Sequence, residues 1–405
     1  MKFTKVLSLI ASILVIVSVS ALQLKLGLAY YYIIGSILLF ILLKRTQYKF
    51  NPILIWIICA AFLSIFLNQV PSFFRPYERL FGFVIILSLT SPLIYSTVFQ
   101  QFRLYAFKRI NFILIIMAVG TFFGLVTGIY VGRDDMQFFT GLYSHSMILG
   151  PMAGIAIINS IFGIYNSKIK IIRILYIVAA SLSFISCVAS GSRAAIGGTA
   201  IGLMFFFYRI YKGSLTKVMR TVLILVCLIT VSFPLWENQT QGIMSKIYYA
   251  QDHGDMAETR REIWFDRVLE FSTSPIYGVG FGSVDTRISK NYETEGGKIE
   301  PGSSWLAVLS MTGLIGFIPI IILIYTNVKF LIKENDSTTQ SAYMGALLIT
   351  IILHMFAEGY IFSSGSGMAY YFWLLIGNID IKKNTIITNK NSFQKYEITN
   401  NRGNL

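Results

Sequence analysis

The sequence predicts an all-α, polytopic membrane protein of about twelve transmembrane helices, with one large extracytoplasmic loop that contains a short amphipathic helix. Three observations lead there. Apolar residues make up 55% of the 405 and charged residues only 13%, about half the charged share of an ordinary soluble domain. Apolar runs recur near 5–22, 26–43, 52–70, 80–98, 110–130, 146–165, 171–189, 194–210, 218–235, 303–328, 341–362 and 367–379, each able to satisfy its own backbone across a hydrocarbon layer as a helix. The only long hydrophilic interval, 236–302, lies between the ninth and tenth runs.

The formal net charge of +15 could suit nucleic acid, but its distribution points to a bilayer instead. With the N-terminus in the cytoplasm, the inside segments hold 22 basic against 4 acidic residues, a net +18, and the outside segments 12 basic against 15 acidic, a net −3. This is the positive-inside bias. It predicts both termini in the cytoplasm and the 236–302 loop outside. The first run also reads as a signal sequence, with Lys2 and Lys5 before it and SVSA at its end, but its length favours an uncleaved helix. The chain thus divides into helices one to nine (1–235), the loop (236–302), helices ten to twelve (303–380) and an Asn-, Lys- and Thr-rich cytoplasmic tail (381–405) that reads as disordered.

Runs one to three read as scaffold. After them, NQVPSFFRPYERLFG keeps Arg75 and Arg79 outside against the general bias, either for an anionic ligand or as interfacial anchors beside Phe73, Phe74 and Tyr77. Run five leads into a charged outer loop with Arg133, Asp134 and Asp135, and His145 stands where run six enters the membrane. His145 reads either as a satisfied interfacial side chain or as a proton acceptor, the role that histidine chemistry suits near neutral pH. Pro151 starts or kinks run six. In SCVASGSRAAIGG, Gly191 and Ser192 make a very short turn that holds Arg193 at the membrane surface. A charge so close to lipid is costly unless it faces a protein cavity, so Arg193 is the strongest candidate outside the loop, with snorkelling to headgroups as the alternative. Gly197, Gly198 and Gly202 then permit close helix packing.

Within the loop, Thr259 and Glu262 have capping-box spacing and Pro275 can stop the helix, which predicts a helix over 260–272. Helical periodicity puts Arg260, Trp264, Arg267 and Phe271 on one face, Arg261 and Val268 at its border, and Glu258, Glu262, Asp266 and Glu270 opposite. Arg260 and Arg261 occupy the first turn, where free N–H groups and the helix dipole already favour anions. That turn is either a phosphate or pyrophosphate seat or a pair of arginines matched by Glu258 or Asp255.

Gly278, Gly280 and Gly282 are spaced like a dinucleotide fingerprint, but without a βαβ context a tight turn at the membrane surface is expected. Glu300 is the carboxylate nearest the entrance to run ten, which begins at Ser303 and Ser304. In run eleven, His354 and Glu358 fall one turn apart on one helix face, bonded to each other or functional. Cys59, Cys187 and Cys227 read as small buried hydrophobes. There is no HExxH, P-loop or GxSxG motif, so no metal or cofactor is expected.

In order, SGSRAAIGG in a short outer turn, RREIW in a large late loop, SPIYGVGFGS, and SSWLAVLSMTGLIG entering the next helix resemble the O-antigen ligase and polymerase superfamily of bacterial envelopes over 140–320. The resemblance implies a multi-pass protein of the bacterial cytoplasmic (inner) membrane that transfers glycans from undecaprenyl diphosphate without a metal or a nucleotide sugar. By position, Arg193 and Arg260, the latter four residues before Trp264, match arginines that hold the lipid-linked pyrophosphate in that family. Arg261, Trp264, Arg267, Arg75 and Arg79 complete the expected substrate contacts. The chain departs from the ligase pattern in one place: PGSSW puts Gly302 near an expected histidine, which leaves His145 or Glu300 as the base.

The expectation is a polysaccharide polymerase acting on undecaprenyl-diphosphate-linked oligosaccharide in the bilayer, with a chain-length regulator and a flippase as protein partners and no nucleic acid. A ligase delivering glycan to lipid A core or protein is the runner-up. A multi-span transporter or flippase is the competitor from another class, but transporters gather their polar residues at the midplane between matching repeats, and no such repeat is visible here.

Overall fold

The computed structural model describes residues 2–22, 26–44, 46–128, 139–237, 256–333 and 339–402; the charged loop of Arg133, Asp134 and Asp135 lies outside them. The described residues form thirteen α-helices: α1 Lys2–Val19, α2 Leu28–Leu42, α3 Pro52–Leu67, α4 Pro76–Thr90, α5 Thr97–Thr127, α6 Ser146–Asn166, α7 Lys170–Ala189, α8 Arg193–Ile210, α9 Leu215–Ser232, α10 Met256–Thr273, α11 Ser304–Lys333, α12 Thr339–His354 and α13 Gly367–Arg402. All but α10 overlap the apolar runs, though α5 begins thirteen residues before its run and α4 and α12 each end eight before theirs. By length and composition, α5, α6, α7, α9 and α11 could cross a membrane, and α1, α2, α3 and α12 are shorter apolar helices. Many large apolar side chains point outward, such as Ile171, Leu175 and Val178 on α7 and Leu223, Val226 and Val231 on α9, as suits a fold whose solvent is lipid rather than water.

One set of polar groups inside the bundle is paired with itself. Where α5, α6, α12 and α13 meet, Asn111 donates to the Tyr343 hydroxyl (2.8 Å), Tyr343 to the Asn159 side-chain carbonyl (2.6 Å) and Tyr371 to that of Asn111 (2.6 Å). Left unpaired in an apolar interior, each of these groups would be costly. Arg103, one of the 22 basic residues assigned to the inside segments, is fully buried and donates to the carbonyls of Ser88, Leu89 and Ile94, stitching the α4–α5 turn. Cys187 is buried as expected, but Cys59 and Cys227 are exposed. The reason on α9 is its peripheral position, with Val218 its only buried residue.

The tail read as disordered continues α13 as far as Arg402. No proline or glycine interrupts the chain from Asn378 to Arg402, and Asn384 donates to the Asp380 carboxylate one turn back at 2.9 Å.

Helix α11 is broken at Gly313, whose φ of 59° and ψ of −163° are not helical. The loop segment Pro275–Gly280 is spliced into this break. The N–H groups of Leu314 and Ile315 donate to the carbonyls of Pro275 and Ile276 (2.9 and 3.1 Å), and those of Val279 and Gly280 donate to Ser310 and Met311 (2.8 and 3.3 Å). Backbone freed by the break is thereby satisfied within the protein. A Cβ at Gly313 would stand 2.6 Å from the Tyr277 nitrogen, so only glycine fits. The glycine-rich stretch is therefore a turn, as expected, but one packed into a helix break. It anchors the start of the 236–302 loop's second half to α11.

Candidate active site

Small residues on α8 let it close on α12. The Thr350 hydroxyl donates to the Gly198 carbonyl at 3.1 Å, and a Cβ at Gly202 would lie 2.7 Å from the Ala346 carbonyl. A Cβ at Gly198 would face Leu353 and the His354 nitrogen, so the two helices run antiparallel. Arg193 precedes Gly198 by five residues, about 7.5 Å further along the axis, which carries it past His354 to the level of the turn that follows α12.

Arg260 reaches that same turn from α10. Its Nη1 donates to the Ala357 carbonyl at 2.8 Å and its Nη2 to Glu358 Oε1 at 2.5 Å. The two arginines expected on the pyrophosphate thus both lie at the end of the bundle where α8 begins and α12 ends. Arg193 is exposed and, among the described residues, makes no hydrogen bond or ion pair. Arg260 spends two of its five donors on the α12 turn, and its side chain keeps 30% of its exposure. Arg261 and Trp264 are exposed beside it.

Residues 178–321 match the O-antigen ligase family model. This supports the superfamily expected from the motifs, and the matched stretch contains both arginines. Comparison with curated proteins finds no match. The O-antigen ligase region ends just beyond the break in α11, so the turn that holds Arg260 lies outside it.

What fixes Arg260 is the way α10 docks. The helix starts at Met256, before the expected Thr259 cap, so Arg260 and Arg261 lie past its first turn, and it buries Ile263, Arg267 and Glu270, so that of the expected Arg260, Trp264, Arg267 and Phe271 face only Arg267 is fully buried. Arg267, expected as a substrate contact, is buried: it donates to Glu270 Oε2 at 2.9 Å, the Ser310 hydroxyl at 3.4 Å and the Glu300 carbonyl at 3.3 Å. Glu270, expected on the solvated side, accepts the Asp285 N–H on its other oxygen at 2.9 Å. Burial pushes the Glu270 carboxyl above its ordinary range, against the opposing pull of Arg267 and these hydrogen bonds. Periodicity gives which residues share a face but not which face meets α11.

The PGSSW segment holds the other side of the site. Ser303 donates through its hydroxyl to Met355 (3.2 Å), and Ser304 donates through its own to the Glu358 carbonyl (2.7 Å) while accepting from the Tyr360 N–H (3.0 Å). Glu358 is therefore not on the helix with His354, as the spacing suggested; α12 ends at His354 and Glu358 sits in a latched turn. The SSGSG stretch soon after it was the legible sign of that ending. His354 is 2% exposed, stacks on Tyr360, and its Nδ1 has no hydrogen-bond partner among the described residues. Gly302 has φ +69°, and a Cβ there would lie 2.6 Å from Ile263 Cγ2, so α10 fills the space a side chain at 302 would need.

The remaining expected residues take varied places. His145 caps α6, its Nδ1 accepting the Met147 N–H at 3.1 Å, which assigns the ring proton to Nε2. The start of α6 packs on the Arg193 turn, where a Cβ at Gly150 would lie 2.7 Å from Ser192 Cβ. Glu300 presents an exposed carboxylate. Arg79 tethers the loop by donating to the carbonyls of Gly282 (2.7 Å) and Gly297. It also lines a cavity of about 340 Å³ shared with Tyr31, Lys298, Ser304, Tyr360 and Ser364. Arg75 stays exposed, 3.8 Å from Glu78.

Proposed function

We propose that this protein is a polysaccharide polymerase of the bacterial inner membrane, acting on undecaprenyl-diphosphate-linked repeat units at the outer face with both termini in the cytoplasm. The observation that carries the reading is the placement of Arg193 and Arg260 at one end of the bundle, inside a region that matches the O-antigen ligase family. The hydroxyl oxygen of one repeat unit attacks sugar C1 of another, and the C1–O bond to the pyrophosphate breaks with its electron pair on the leaving oxygen. Preorganised cations at that oxygen stabilise the charge as it develops. Arg193 and Arg260 supply them, with Arg261 and Trp264 at the rim.

Gly302 favours polymerase over ligase, because the ligase pattern calls for a histidine where this chain has a glycine closed in by Ile263. The test is the lipid-linked glycan pool of a deletion strain. Single repeat units that fail to lengthen support a polymerase, whereas long chains left on the lipid carrier indicate a ligase. Unchanged glycans would end the reading.

A further inference from the structure

The arrangement that holds Arg260 also neutralises it. A carboxylate at 2.5 Å competes with any incoming anion for the guanidinium fork. The pair is not deeply buried, with 30% of the Arg260 and 25% of the Glu358 side chain exposed, so a ligand can reach it. Glu358 cannot drift far, because its turn is held by Ser304 through both its N–H and its hydroxyl and by the Glu358 N–H to His354 carbonyl bond at 3.1 Å. Just beyond it, Gly359 and Tyr360 form a wall of the 340 Å³ cavity, whose mixed lining includes the hydroxyls of Tyr31, Ser304 and Ser364 beside apolar groups such as Met311 and Phe362, a combination of the kind that binds a sugar.

We infer that Glu358 is a catalytic residue with two states: it closes the Arg260 fork in the free protein, and once a diphosphate displaces it from that fork it accepts the proton of the attacking acceptor hydroxyl. The inference rests on the polymerase reading and assigns the cavity to the acceptor sugar. In the step, the acceptor O–H proton passes to Glu358 as its oxygen bonds to C1. The C1–O bond to the diphosphate breaks, and the departing charge falls to Arg260 and Arg193. Glu358 then returns its proton to water and re-forms the pair. A base unmasked only by the donor avoids activating water in the empty site.

The two residues proposed from sequence serve less well in this geometry. His145 uses the lone pair of Nδ1 for its cap, and the Glu300 carboxylate is exposed with its segment held through backbone. Among the described residues, the charged and titratable groups nearest Glu358 are Arg260 on α10, His354 and Tyr360 in and beside its own turn, Glu300 ahead of α11, and Arg79 and Lys298 around the cavity, with Arg193 at the same end of the bundle on α8.

The experiment compares Glu358→Gln, Glu358→Asp and Arg260→Ala in the full-length protein. Inorganic pyrophosphate binding is measured in detergent, and polymer formation from native lipid-linked units is followed against pH. Glutamine keeps an acceptor for Arg260 but removes the competing charge, so pyrophosphate should bind several-fold more tightly while polymer formation falls about a hundredfold, the scale of a lost general base. The acidic limb of the wild-type profile should vanish from the residual activity, and aspartate should restore part of the rate. Weaker pyrophosphate binding in Glu358→Gln would mean that the carboxylate merely aims Arg260, and wild-type polymer would remove Glu358 from the chemistry; either overturns the inference. If Arg260→Ala also makes wild-type polymer, the role of Arg260 at the leaving diphosphate falls as well, whereas the polymerase reading itself falls only if the deletion strain keeps unchanged glycans.

Discussion

Arg267 Nη1 lies 2.9 Å from Glu270 Oε2 one helical turn away, and the two side chains are 1% and 0% exposed. This pair joins α10 to α11 and to the chain at Asp285, and so carries the helix that presents Arg260. Removing one partner strands a buried charge, at about 3–5 kcal/mol. Arg267→Ala should therefore lower the apparent melting temperature in detergent sharply, and the double change Arg267→Met with Glu270→Leu should recover much of the loss. A single variant as stable as wild type would refute this role.

Glu270 also predicts a pH dependence. Its folded-state carboxyl is raised above the ordinary value of 4.5, burial outweighing Arg267. A raised value means the native state binds the proton more tightly than the unfolded chain does, so this contribution is present below the ordinary range and lost as pH rises through the folded value. Melting temperature should decline across that window in wild type, and Glu270→Gln should flatten the decline. Superimposable profiles would contradict it.

At the proposed site, Arg193→Ala and Arg260→Ala should each stop polymer formation while the protein still inserts. A charge-assisted contact to the leaving group is worth roughly 3 kcal/mol, on the order of a hundredfold in rate. Lysine at either position should rescue in part, restoring charge without the fork. Wild-type chain length in both alanine variants would dissolve the assignment.

Reporter fusions test orientation. Those at Lys212 and Lys383 should read cytoplasm and one at Asp285 the exterior, from the net +18 against −3 across the membrane. A cytoplasmic signal at Asp285 would put the arginines on the wrong side for lipid-linked polymerisation.

His145→Ala and Glu300→Gln should each slow polymerisation by less than about tenfold, below the general acid–base scale. The first loses a helix cap, at about 1 kcal/mol, and His145→Asn should restore it. A hundredfold loss in either would return the base to the residues first expected from sequence.

Each apolar run overlaps a helix, because a helix in lipid must satisfy its own backbone and this demand is written in composition, but the ends were not legible: α5 begins at Thr97, thirteen residues before its run, and α12 stops at His354, eight before the end of its run. Short motifs likewise marked the Arg193 turn and the glycine-rich turn, since each reflects a local need, a tight turn or a backbone free of Cβ, whereas the capping signal at Thr259 missed the start of α10 at Met256. The partners of those residues were not legible. Glu358 is separated from Arg260 by 98 positions, and its escape from the α12 helix depends on Ser304, 54 positions away. The side of α10 that turns inward was chosen by Ser310 and Asp285, so Arg267 became a cross-link while Arg260, at the end of the same helix, was left with donors to spare. Hydrophobic periodicity acts over a few residues and is set by the solvent; the pairing of buried charges acts across the chain and is set only when the helices pack.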